Sequence, residues 1–169
     1  GAMGTMCLID DLNAVSFAND LCNRYGVDTI SPGVAIAFAM EAYEKGLITK
    51  EDTGGIELKL GSAEAMLAMV HQIGQREKIG ALLGQGVKRA AEKLGGDSWK
   101  YAVHVKGMET PMHDPRTFFS MGLTYAVGPR GACHLHGHSP LYEGVKDPMP
   151  EWGLKGEYSL FESKGKGLV

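Results

Sequence analysis

Apolar positions recur at helical spacing along most of the chain, and polar caps and glycines mark where each run starts and stops. Leu12, Val15, Ala18, Leu21 and Cys22 follow an i, i+3, i+4 pattern, which predicts a first helix. It opens near Asp10 or Asp11, where a carboxylate can cap it, and closes at about Tyr25 before Gly26. Ser31-Pro32 predicts a second start, with serine accepting from the orphan amides and proline at the first helical position. This helix carries Ile36, Phe38, Met40 and Tyr43 and stops at Gly46. Ser62 caps a third helix through about Arg76, with Met66, Met69, Val70 and Ile73 on its apolar face. A fourth runs from Gly80 to Leu94 and ends at Gly95-Gly96. Asp114-Pro115 launches a fifth, with Phe118, Leu123 and Ala126 inward, which ends before Gly128-Pro129.

Between these runs the pattern changes. Thr49 to Asp52 opens a short turn, and Gly54, Gly55 and Gly61 surround an alternating Ile56 to Leu60 stretch that reads as loop with an extended piece. Tyr101 to Val105 is apolar enough for a short strand. From Gly131 the chain turns rich in glycine, proline and histidine, which predicts an irregular tail. Short connections between helices favour an all-α, multihelical fold with an irregular Gly/His-rich C-terminal segment over a parallel sheet.

Composition narrows the classes of function. The 169 residues are 44% hydrophobic, enough for one core or two small ones; a division into two subdomains would fall near residues 95–113. The 17 basic and 20 acidic residues are mixed, giving a net charge of −3. No basic stripe offers a track for phosphates, so nucleic acid is not expected as a partner. No apolar stretch approaches the ~20 residues of a membrane span. The three cysteines, Cys7, Cys22 and Cys133, show no C-x-x-C spacing, and a reducing, cytoplasmic setting is expected. Residues 1–3, Gly1-Ala2-Met3, read as the remnant of a cleaved expression tag, leaving 4–169 as a piece of something larger.

Two places could carry chemistry. Asp28 lies between the end of the first helix and the start of the second, so its carboxylate can accept paired N–H bonds from a planar, guanidine-like edge. The bland alternative is that Asp28 caps the Thr29 to Pro32 turn. The second place is Cys133-His134-Leu135-His136-Gly137-His138. In an extended segment its three histidines share a face and could hold a borderline metal; otherwise one histidine in a polar loop could serve in proton transfer. Gly84-Gln85-Gly86 falls inside a helical pattern with no strand before it, against a phosphate loop. The nine methionines lie mainly on helix faces and suit core packing. Cys7 reads as a buried or idle thiol, with a metal-ligand role as the alternative.

The words of the sequence add to its periodicity. Ala18-Asn19-Asp20-Leu21-Cys22-Asn23-Arg24-Tyr25-Gly26-Val27-Asp28-Thr29-Ile30-Ser31, then Ala37 to Glu41 and Tyr43 to Leu47, resembles the middle domain of the tungsten-containing aldehyde:ferredoxin oxidoreductase family. Gly86 to Ala91, Val105 to Glu109, His113 to Arg116 and Arg130 to Leu135 follow in the family's order. The resemblance covers the chain from about Gly4 to its end.

In that family a D-x-x-G-L-D/C segment holds one of two pterin dithiolenes that ligate tungsten. The resemblance places Asn23, Gly26, Val27 and Asp28 in this role, with Asn23 standing for the first aspartate and Val27 for the leucine. Asparagine keeps an acceptor oxygen but loses the charge. By the same resemblance His134 matches the histidine beside the metal and is the catalytic candidate, while His136 falls where a member contacts the pterin or its phosphate. The implied parent enzyme carries a tungsten or molybdenum bis-pterin and a [4Fe-4S] cluster. It oxidises aldehydes to carboxylic acids, passes electrons to ferredoxin and leaves oligomerisation open. The family's cluster cysteines and second pterin motif are not in these residues, so the isolated piece is expected to need the remaining domains and to retain no cofactor. Class II benzoyl-coenzyme A reductase is a related reading, in which Cys7 could be a metal ligand. A rival of another class is a helical metal-binding or interaction module around His134, His136 and His138.

Overall fold

The computed structural model describes residues 1–137 and 150–153. Among the described residues the fold is mostly helical, with six α-helices and one two-stranded hairpin. The chain divides into two compact units, Gly1–Glu109 and Thr110–Val169.

In the first unit α1 (Leu12–Tyr25) is capped by Asp11, whose side chain accepts from Asn13 N at 2.9 Å and Ala14 N at 3.1 Å. Its end is a Schellman turn: Gly26 N donates to Asn23 O and Val27 N to Cys22 O. Gly26 adopts φ +71° with open space around its missing Cβ, so the conformation and not crowding demands glycine there. Ala14, Ala18, Leu21 and Cys22 are buried, whereas Leu12, assigned to the apolar face, lies exposed at the helix start.

The second helix, α2 (Ser31–Glu44), buries nine of its residues, from Pro32 to Ala42. It is apolar on nearly every side because α3, α4 and α5 all pack on it. α3 (Ala63–Gln75) is capped by Ser62 as expected, and Met66, Met69, Val70 and Ile73 are buried. The stretch expected as one fourth helix is two, α4 (Gly80–Leu83) and α5 (Val87–Leu94). Gly84-Gln85-Gly86 separates them, with Gly86 at φ +93° and ψ 158°, outside any helical conformation. The expected strand is shorter than Tyr101–Val105: β1 (His104–Val105) pairs antiparallel with β2 (Met108–Glu109). Lys106 and Gly107, both at positive φ, form the two-residue turn. Met3, within residues 1–3, is buried in the core.

In the second unit α6 (Phe119–Val127) begins later than Asp114-Pro115 suggested. The Asp114 carboxylate turns instead to Arg116, pairing with its guanidinium at 2.6 Å. That neighbour holds the Asp114 carboxyl down at about 2. The inward face also differs: Ser120, Met121 and Tyr125 are buried, while Leu123 is 47% exposed. No helix among the described residues is long and apolar enough to cross a membrane.

Candidate functional site

The Schellman turn that ends α1 delivers Val27 and Asp28 to the start of α2. Asp28 Oδ1 accepts from Ile30 N and Ser31 N, both at 2.8 Å. Asp28 therefore does the capping expected of Ser31, and the local reading of this carboxylate holds for one of its oxygens.

The same residue also lines an open cleft of about 280 Å³. Val27, Asp28, Ser31 and Pro32 contribute one part of its lining, and the Gly84-Gln85-Gly86 break contributes another. Gly107 and Glu109 of the hairpin complete it, with Ile73 and Leu83 as apolar lining. Three segments distant in sequence thus converge on Asp28. The sequence pattern places Gly84 to Gly86 in a helix interior, and Glu109 enters it only as the last residue of a motif in the family's order, with no site role.

Glu109 is 6% exposed, and its Oε1 accepts from Val87 N, the first amide of α5, at 2.8 Å. Gly86 gives it room, for a Cβ there would come within 2.8 Å of that oxygen. Asn23 is exposed and, like Gly26, lies outside the cleft lining; both shape the loop through the backbone bond that closes the turn. Behind the loop, burial and then the Asp28 charge push the Cys22 thiol up to about 11.

Cys7 sits elsewhere in the first unit, fully buried, with Sγ 3.7 Å from Gly33 O and 3.8 Å from Ala2 O. Burial pushes its thiol up to about 12, so it stays protonated at neutral pH. Among the described residues no three His, Cys, Asp or Glu side chains gather as a metal site would need.

In the second unit the His134 ring stacks on that of His113, centroids 4.8 Å apart and planes 13° from parallel. Tyr125 fixes the backbone beneath, its hydroxyl donating to His113 O at 3.0 Å. His113 Nδ1 is buried with no hydrogen-bond partner among the described residues. Cys133 is buried next to His134, with Arg130 Nη1 3.9 Å from its Sγ. His136 is exposed, and His138 lies outside the described residues. The stacking partner was not legible, because His113 and His134 are far apart in sequence and stacking leaves no local signature.

Comparison with known proteins agrees with the ordered motifs. The family model for aldehyde ferredoxin oxidoreductase, domains 2 and 3, matches residues 1–167. The chain is 42% identical over 137 residues to the tungsten-containing aldehyde ferredoxin oxidoreductase of Pyrococcus horikoshii, covering 79% of this chain and 22% of that protein. Over 135 residues it is 38% identical to the enzyme of the same description from Pyrococcus furiosus, with the same shares of each chain covered. The WOR-like subunit of the aliphatic sulfonate oxidoreductase of Pyrococcus furiosus is 37% identical over 138 residues, 78% of this chain and 22% of that one. The chain thus spans about a fifth of the length of the curated relatives it matches.

Proposed function

Because this chain belongs to the aldehyde ferredoxin oxidoreductase family, we propose that it is a pterin-contacting part of a tungsten oxidoreductase that converts aldehydes to carboxylic acids. Electrons would leave through an iron–sulfur cluster held by other parts of that enzyme and pass to ferredoxin. The observation that carries the reading is Asp28 lining a cleft while spending only Oδ1 on local amides.

The residues present fit the group. Asp28 leaves a second carboxylate oxygen for N–H donors, and charge-assisted bonds to a carboxylate are short and strong. Val27 adds an apolar contact beside it, and the Schellman turn fixes the loop before any ligand arrives, which lowers the ordering cost of binding. Bound tungsten supplies the two-electron redox chemistry. His134 serves as proton donor and acceptor for the substrate oxygen, a task suited to imidazole near neutral pH. The stack on His113 restricts the ring's orientation, so the proton is offered along a defined direction.

The relative of highest quoted identity, 42% against 37%, bears an aldehyde description and not a sulfonate one, which supports aldehydes as the substrate class. In the complete enzyme, Asp28→Ala is expected to lower pterin and tungsten content, and His134→Ala to lower turnover by about 100-fold or more at full tungsten occupancy. Unchanged cofactor content in the first variant would overturn the loop assignment, and unchanged turnover in the second the proton role.

A further inference from the structure

The cleft beside Asp28 contains a second carboxylate that the motif does not include. Glu109 is more than nine-tenths buried, and burying a carboxylate is costly unless its oxygens are paired. Yet among the described residues its one hydrogen bond is that from Val87 N to Oε1. The partial positive charge at the start of α5 offsets part of the cost. No Lys, Arg or His among the described residues forms an ion pair with it, and Oε2 has no hydrogen-bond partner among them. Since Glu109 lines the cleft, the cleft is where that oxygen can meet a donor.

The backbone is shaped to put the carboxylate there. Gly86 leaves the space a Cβ would take from Oε1, and the Lys106-Gly107 turn brings β2 back so that Glu109 pairs with His104. We propose that Glu109 is a second anchor of the cleft, its Oε2 accepting an N–H donor from the same planar heterocycle that Asp28 contacts. Two carboxylates select a ligand with several N–H donors, such as the guanidine-like edge of a pterin, and disfavour an anionic group at that end. This assignment rests on the cofactor reading of Asp28, and one titration separates the two.

The probe is unsubstituted pterin, titrated into the 169-residue chain and followed by quenching of its own fluorescence. Glu109→Gln keeps the size of the side chain and an acceptor for Val87 N, and is expected to weaken binding about tenfold, the loss of one charge-assisted bond. Asp28→Asn is expected to weaken it similarly. If only Asp28→Asn has an effect, the Glu109 anchor is overturned and the cofactor loop stands. If only Glu109→Gln does, the anchor stands and the role of Asp28 falls. The isolated chain is not expected to hold the complete cofactor through purification, but free pterin in excess should fill the cleft, so absence of saturable binding to the unmodified chain, or binding that neither variant weakens, overturns both. A measurement on that unmodified chain guards against misfolding of the variant: the Glu109 carboxyl carbon resonance should move on addition of pterin, and a fixed resonance at saturation overturns the anchor.

Discussion

Asp28 shows why one residue can satisfy two readings of its sequence context. Its Oδ1 closes the orphan amides of α2, while the side chain still borders a cleft. Position relative to the helix start was legible because capping is local; the cleft was not, because Gly84 to Gly86 and Glu109 reach it only through the folded chain. The cysteines make the opposite case, with burial overriding reactivity. The folded values of about 12 for Cys7 and about 11 for Cys22 lie above the 9.0 of an ordinary thiol. A raised value means that the folded chain keeps protons the unfolded chain releases. Their contribution to stability is therefore full below pH about 9 and is lost as pH climbs through about 11 and 12. Urea melts at pH 8 and 10 should show the loss, and Cys7→Ser with Cys22→Ala should flatten it.

Helix boundaries followed local rules where the residue that caps or stops a helix lies within a turn of the backbone groups it bonds. Asp11, Gly26 and Ser62 act where their chemistry predicts. The break between α4 and α5 was hidden for the converse reason: Leu82, Leu83 and Val87 keep apolar character across it, and the first amide of α5 finds its acceptor in the Glu109 carboxylate 22 residues away from Val87. The inward face of α6 was misassigned because burial of Ser120 and Tyr125 depends on packing partners that a periodicity count does not see. Gly86→Ala tests the element directly. It combines a strained φ of +93° with a Cβ 2.8 Å from Glu109 Oε1. A loss of roughly 1–3 kcal/mol is expected in denaturant unfolding, with Gly95→Ala as a comparison that has the strained φ but open space around the added Cβ.

At the scale of the molecule, among the described residues the hydrophobic core from Met3 to Ala91, with Tyr101 and Ala102 against it, belongs to the first unit. Residues 1–109 should therefore fold alone, with a cooperative urea transition and helical circular dichroism; a broad, non-cooperative loss of signal would show that the core needs the rest of the chain. A mostly helical architecture was legible from spacing alone, and the family from ordered motifs. The pairing of His113 with His134 was visible only once the second unit was folded.

The convergence of residues 27–32, 73–86 and 107–109 on one cleft also bears on the order of assembly. No short contiguous peptide from this chain contains that recess, and an unfolded chain has no counterpart of it. A ligand recognised there binds the folded state and not the random one, so occupancy and folding are thermodynamically linked. At a free concentration 100 times its dissociation constant such a ligand adds about 2.7 kcal/mol to stability. On the cofactor reading proposed above, insertion of the pterin would then act as a checkpoint on maturation, holding together three stretches of chain that reach the cleft from separate parts of the sequence.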